Sequence, residues 1–491
     1  MKRFLPVGLL LLPIVFSMIP FVFASWHEIV QSGDIALLEM ATRSVPEGVF
    51  TGAYSRFGFH HPGPMYSIIR YPLYLLTGGR AQSFYIVTVL IVGLSLWGAL
   101  AIVREAETYI TVVIFAAVFS FFAFSLSKSI WLSQWNPFII IFPLILSVVG
   151  MASYSSGTVR YLPLTVVSAS FAAQTHLGVL PLAGLMFLYS AVLVFHRREF
   201  RNRYVVISVV LAFVIWIPVL VDQIFSNGSG NLSLIYSTLR EYPASGFTRV
   251  SLASWFSAAA PMEMAVLGQW CRGQSHSMVF FQAVIAAVRT VLLVISVFVA
   301  AFRSRHSFET RLCLLVLALI VVSLISVFSV RGDIYWYLTM WISVVSPLSW
   351  FSILLVFSNS VVSKNNRVVA AAATAVLVVF TLLNVRAVSS ADFSDDPLHY
   401  HDMETEYLSG KLMDEDILDS IHQIQISIDS NELWPQMMGL TCYLKKQGYQ
   451  VAVQQDYVFM LNTSNPVLTH SAEVFLYQDS AGTGYFINEN W

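Results

Sequence analysis

The sequence predicts an all-α polytopic membrane protein that ends in a small α/β domain. Three observations carry this reading. Hydrophobic residues fill 57% of the 491 positions and charged residues only 11%, whereas an ordinary soluble domain is about a quarter charged. Such a chain cannot hide its apolar surface in a water-soluble core. Apolar runs approaching the roughly 20 residues that cross a bilayer recur along most of the chain. Past about residue 388 those runs stop, and short alternating segments replace them.

The first run, 4–23, follows Met1-Lys2-Arg3 and exceeds the 7–15 residues of a signal-peptide core, so it is read as a retained helix. Further runs cover 81–103, 108–126, 138–153, 161–173, 177–195, 204–225, 279–302, 312–330, 337–358 and 368–387, about eleven spans in all. Two of them, 138–153 and 161–173, are short and are expected to tilt or to stop below the surface. Numbering the connections alternately gives a test that hydropathy did not use. Arg104, Arg160, the basic run 196–203, Arg303, Arg305, Arg311, Lys364 and Arg367 all fall on one side, as the positive-inside rule requires. The expectation is a multi-pass protein of a bacterial inner membrane, with its N-terminus cytoplasmic and its tail outside. Residues 1–388 then form the membrane domain, with outer loops at 24–80 and 226–278, and 389–491 form the extracytoplasmic domain.

In the tail, acids between Asp392 and Glu406 read as a polar linker. A helix at 414–422, a strand at 424–428, a helix at 432–447, a strand at 451–460 and strands at 473–478 and 484–488 follow. Alternation of this kind suggests an α/β accessory domain, and the lack of a Gly-rich phosphate loop argues against a nucleotide. With a net charge of −1 there is no electrostatic case for nucleic acid. Of three cysteines, Cys313 lies in a predicted span, so only Cys271 and Cys442 are placed to meet, as a bridge or as two separate thiols.

Polar chemistry concentrates in Gly33–Pro64, where Asp34, Glu39, Arg43, Arg56, His60 and His61 crowd into one outer loop. Ile35, Ala36, Leu37, Leu38 and Met40 supply the apolar face of a short helix, expected along the membrane surface. Asp34 and Glu39 are five residues apart and point to different sides of it, which disfavours a two-carboxylate glycosidase site. Asp34 is read either as a base that deprotonates an acceptor hydroxyl or as a helix cap. Arg56, His60 and His61 offer donors suited to an anion, or else decorate a structural turn. Adjacent histidines with no Cys or regular His spacing make a poor zinc site. Gln134-Trp135-Asn136-Pro137, Gln174-Thr175-His176 and Arg331-Gly332-Asp333-Ile334-Tyr335-Trp336-Tyr337 fall on the same outer side. His176 reads equally as a site residue and as a packing hydrogen bond. Arg289, within a span, is expected to pair with a lipid phosphate or with an acid such as Asp222. Asn227, Asn231 and Asn462 head formal glycosylation sequons.

The first helix, the long loop with Gly33-Asp34, the many spans and the outer C-terminal domain resemble the GT-C superfamily of integral membrane glycosyltransferases. Tyr54-Ser55-Arg56-Phe57-Gly58 with His61-Pro62-Gly63-Pro64, then Trp135-Asn136-Pro137 and Gln174-Thr175-His176, resemble a bacterial subgroup of it. The resemblance implies sugar transfer from a polyprenyl-phosphate carrier to a glycan, glycolipid or protein acceptor by an inverting displacement, with membrane lipid as the surrounding partner. It implies Asp34 as the catalytic base. On chemistry and side, Arg56, His60, His61, His176 and Arg331 are the candidates for the phosphate, with Glu39, Tyr54, Asn136, Gln174 and Asp333 as secondary candidates. Some members need a divalent metal held by paired acids; this loop has no Asp-x-Asp, so no metal ligand is assigned, although a divalent metal stays an open cofactor. The other readings are a lipid-linked sugar transporter, which would carry mid-membrane polar residues and an internal repeat, and a non-catalytic envelope assembly protein.

Overall fold

The computed structural model describes residues 5–19, 29–226, 230–266, 276–361, 366–389, 401–415, 422–461, 466, 468, 471–479 and 482–490. It divides the chain into two compact units. One comprises Met1–Phe23, Thr88–Ile217 and Ser237–Ser390, the other Ala24–Val87, Pro218–Tyr236 and Ala391–Trp491.

The first unit is helical. Among the described residues of the whole chain, nine helices are long and apolar enough to cross a membrane: Gln82–Ala106, Tyr109–Leu126, Asn136–Ser155, Leu177–Arg197, Arg203–Phe225, Val279–Arg303, Phe308–Phe328, Trp336–Ser360 and Arg367–Ser389. Of the eleven expected spans, the two remaining ones are shorter helices, Leu5–Ser17 and Leu162–Thr175. At 14 residues the second extends only about 21 Å, short of the roughly 30 Å hydrocarbon core. It packs tightly instead. A Cβ on Gly150 would lie 2.2 Å from Thr165 Oγ1, so only glycine lets the helices Ile141–Ser155 and Leu162–Thr175 approach this closely.

Several buried polar groups in this unit are matched across helices. Asn384 donates Nδ2 to the Ser120 carbonyl at 2.8 Å, and the Trp255 indole donates to Ser323 Oγ at 2.8 Å. Arg197, in the basic run read as cytoplasmic, donates to the carbonyls of Tyr154 and Ser155 at 2.9 and 2.5 Å. It therefore caps the C-terminal end of the helix Ile141–Ser155.

The second unit holds a mixed sheet of four strands, β1 (Gln423–Ile428), β2 (Gln450–Val453), β3 (Ser471–Asp479) and β4 (Gly482–Asn490), in the order β2-β1-β3-β4. β1 pairs in parallel with both β2 and β3, and β3 and β4 form an antiparallel hairpin. The helix Trp434–Lys446 connects β1 to β2, as a parallel pair demands. Two sequence expectations shift here. The stretch read as a polar linker holds a helix, Met403–Met413, whose start is fixed where Asp402 Oδ1 accepts from the amides of Glu404 and Thr405; the helix expected at 414–422 lies mostly outside the described residues, at 416–421. The strand expected at 451–460 ends at Val453 and gives way to a 3-10 helix, Gln455–Met460.

A larger correction concerns the helix Gly33–Arg43. Its apolar residues do not face a membrane. Ile35, Ala36, Leu37, Leu38 and Met40 are all buried, and Ala36, Leu37 and Met40 share one core with Ile424, Ile426 and Met437. Each of the larger side chains, Leu37 and Met40, contributes about 1.5–3 kcal/mol on burial, so this helix supplies part of the C-terminal domain's own core. Gly33 makes the approach possible. Its φ is +52°, and an added Cβ would meet Pro435 and Trp434 at 3.4 Å.

Candidate active site

The expected site residues fall into one group in each unit. In the second unit, Asp34 is half-buried in the first turn of the helix Gly33–Arg43. The cap position belongs to Ser32. Asp34 sits two residues inside it, so its role is not that of an N-cap, although a first-turn carboxylate suits the helix dipole.

Residues 52–61 form a hairpin. Gly52 N–H donates to the His61 carbonyl at 2.9 Å, His61 N–H to Ala53 at 2.7 Å and Ser55 N–H to Phe59 at 2.8 Å. Gly58 turns the chain at φ +82°. A side chain that sequence reading had not singled out for this task grips the hairpin. Asn231 Oδ1 accepts from His60 N–H at 2.7 Å, and its Nδ2 donates to the carbonyls of His60 and His61 at 2.9 and 3.3 Å. Asn231 is in turn held by its own N–H, which donates to Asp222 Oδ2 at 2.7 Å. That is the work of Asp222. The Asn231 amide is buried, so its formal sequon is closed in the folded chain; Asn227 and Asn462 lie outside the described residues.

On the hairpin Arg56 is exposed, with its guanidinium 5.0 Å from the Phe57 ring centroid. His61 is half-buried. His60 differs. Its Nε2 is buried with no hydrogen-bond partner of good geometry among the described residues. Burial lowers its pKa to about 4, against the raising effect of the Met460 and Leu461 backbone and of the Asp222 charge. At neutral pH His60 is uncharged, so the expected cationic grip on phosphate does not extend to it. Tyr54 packs its ring against Trp434 at 6.0 Å and Phe459 at 6.3 Å, which makes it part of the domain core. Glu39 is buried as well: Lys446 Nζ lies 3.2 Å from its Oε1, and Tyr74 donates its hydroxyl to the same oxygen at 3.3 Å.

In the first unit three separate motifs converge. The Trp135 and Tyr337 rings lie 4.9 Å apart, those of Phe138 and Trp336 5.6 Å apart, and Asn136 Nδ2 donates to the Thr175 carbonyl at 3.4 Å. Gln174 donates Nε2 to the Ile215 carbonyl at 2.9 Å. His176 Nδ1 accepts from Gly178 N–H at 3.2 Å and starts the next helix, so its packing role is visible. Arg331 directs Nε and Nη2 at the Leu239 carbonyl, at 3.2 and 2.7 Å, and Nη1 at Ser329 at 2.8 Å. It ties a helix end rather than presenting a bare fork. Asp333 stays exposed beyond it.

Arg289 pairs with a different acid, Glu263. Its Nη1 lies 2.5 Å from Glu263 Oε1, and Glu263 also accepts from Ser346 at 2.8 Å and from the Trp350 indole at 2.8 Å. Glu263 escaped the sequence reading, since an isolated acid in Pro261-Met-Glu-Met carries no pattern. Cys442 is a buried free thiol, and Cys271 lies outside the described residues. Among the described residues no three His, Cys, Asp or Glu side chains are placed to hold one metal ion.

No protein-family model matches the sequence, and no curated protein matches it. Its fold does have solved counterparts. ArnT from Cupriavidus metallidurans bound to undecaprenyl phosphate superposes with a TM-score of 0.55 at 11% identity, over 96% of this chain and 93% of that one. The same protein in the apo state gives 0.53 at 12% identity, over 94% and 92%. The oligosaccharyltransferase of Archaeoglobus fulgidus in the apo form gives 0.46 at 10% identity, over 90% of this chain and 64% of that one. Over nearly its whole length, therefore, this chain has the GT-C fold that its motifs resemble.

Proposed function

We propose that the protein transfers a sugar from a polyprenyl-phosphate-linked donor to a hydroxyl of a cell-envelope glycan, lipid or protein, with inversion, on the non-cytoplasmic face of the inner membrane. The observation that carries this is the whole-chain fold likeness to ArnT bound to undecaprenyl phosphate. A carboxylate with solvent access at the head of the first outer helix supports it.

The chemistry asks little of the protein beyond placement. Asp34 takes the proton of the acceptor hydroxyl, and the oxygen attacks the anomeric carbon from the face opposite the carrier. The bond from that carbon to the carrier phosphate breaks, and the polyprenyl phosphate leaves with the electron pair. Arg56 and His61 stabilise the charge gathering on the leaving phosphate. His60, held neutral, contributes through its backbone, which Asn231 fixes. Among the described residues no cluster is assigned to a divalent metal, and no step is routed through one.

The test is transfer from a lipid-linked sugar in membranes carrying Asp34→Asn. A loss of about 10²–10⁴-fold is expected for a missing general base, with thermal stability unchanged; transfer equal to wild type removes Asp34 from the mechanism. Arg56→Ala should raise KM for the donor more than for the acceptor, and equal effects on both would count against a phosphate role.

A further inference from the structure

The second unit contains a cavity that the transfer reaction does not use. It measures about 490 Å³ and is lined by Arg43, Arg80, Lys446, Tyr74, Gln82 and the turn Gly78-Gly79. Three different parts of the chain supply its cations. Arg43 closes the helix Gly33–Arg43, Arg80 follows the turn after Met65–Leu76, and Lys446 ends Trp434–Lys446.

The fold has built this wall rather than merely exposed it. Gly78 and Gly79 both adopt positive φ, at +70° and +80°, a backbone conformation that favours glycine at each. Behind them Arg70 is fully buried, with its guanidinium 3.5 Å from the Phe84 ring centroid and 5.0 Å from that of Tyr66. Tyr74 stacks on Phe84 at 5.2 Å and donates to Glu39. Glu39 is buried and engaged by Lys446, and among the described residues the lining contains no carboxylate. Arg43 and Arg80 bring two further positive charges to it. Arg43 lies nine residues beyond Asp34 on one helix, about 13 Å along the axis, so the cavity is separate from the proposed base.

We infer that this cavity is an anion site, which takes an oxyanion group, phosphate or carboxylate, of a hydroxylated molecule. The two arginines offer forked donors to the oxygens, and the Tyr74 hydroxyl with the amides of Gln82 and Gln447 faces neighbouring hydroxyls. Binding here does not depend on the transferase reading. An anionic saccharide and an anionic lipid headgroup both present this chemistry.

The experiment uses the full chain in phosphatidylcholine nanodiscs, with glucose 1-phosphate and inorganic pyrophosphate as calorimetric probes and glucose as the neutral control. Both anions should bind and glucose should not. Affinity should fall as salt rises. Arg43→Gln with Arg80→Gln should weaken both anions by about tenfold or more, the loss of charge-assisted contacts, while sugar transfer persists. Both arginines are exposed, so the doubly substituted chain folds, and its melting temperature checks this. Repeating the titration in phosphatidylglycerol nanodiscs separates the sources. An unchanged affinity assigns the site to soluble anions, and competition by the lipid assigns it to a headgroup. Absence of millimolar anion binding by the wild type, or equal affinity in the arginine variants, overturns the site. Loss of transfer on Asp34→Asn leaves it untouched.

Discussion

The two units handle buried charge in opposite ways, and the difference separates structural polar residues from candidate chemistry. In the membrane-type unit, Glu263 is surrounded by three donors, Arg289, Ser346 and Trp350, and Arg331, His176, Gln174 and Asn136 spend their polar atoms on backbone groups. In the other unit Asp34 keeps solvent access and Arg56 is exposed. Its buried acid, Glu39, is bound beside a cavity rather than sealed in an apolar layer. Where water is excluded, an unmatched backbone or charged group costs several kcal/mol, so polar side chains there are claimed first by the fold.

The sharpest way to break that contrast is at Glu263. Glu263→Ala leaves the fully buried Arg289 without its carboxylate, and about 3–5 kcal/mol of stability should be lost, read as a lower melting temperature in detergent. Glu263→Leu with Arg289→Met should recover most of it, because an apolar pair removes both charges together. If Glu263→Ala melts like wild type, the matched-charge account of this unit is wrong.

His60 gives the next largest effect, in the other unit. Its folded pKa of about 4 lies below the unfolded value of 6.5, so its stabilising contribution is complete above pH 6.5. It is lost as pH falls from there through about 4, because the unfolded chain binds the proton first. Limited proteolysis of the hairpin should accelerate over that window, and His60→Gln should flatten the response. An acid response identical in both chains would place its origin elsewhere.

A smaller change is expected at Asn231. Asn231→Ala removes three hydrogen bonds to the hairpin while the backbone N–H at 231 still donates to Asp222, a loss of about 1–3 kcal/mol of local stability. Hydrogen exchange at residues 52–61 should quicken while the exchange of β1 and β3 stays put. Smallest of the four, Gly150→Ala should lower stability by about 1–3 kcal/mol through overpacking against Thr165. Thr165→Ala removes the clashing oxygen and should restore part of that loss, so additivity of the two substitutions would argue against the close helix crossing.

These contrasts show how far the residues could be read directly. The apolar runs announced the helical architecture because hydropathy is a local quantity, summed along the chain. Alternation at Ile424, Ile426 and Ile428 announced β1 for the same reason. The helix Met403–Met413 was missed because the acids around Asp402 read equally as a linker and as a helix start, and only the Asp402 cap distinguishes them. Asp34 was recognisable from its place after Gly33. Glu263, Asn231 and Lys446 were not, since each takes its meaning from a partner 26 to over 400 residues away.

The helix Gly33–Arg43 draws the line most clearly. Its apolar spacing determined that a helix forms and that one face must be buried. Whether lipid or protein covers that face is a question of what arrives from elsewhere, because burial against either removes the same surface from water. Tertiary structure chose the protein. Ala36, Leu37 and Met40 join the core of a sheet whose strands begin nearly four hundred residues later, and Glu39 is carried with them into a buried pair with Lys446.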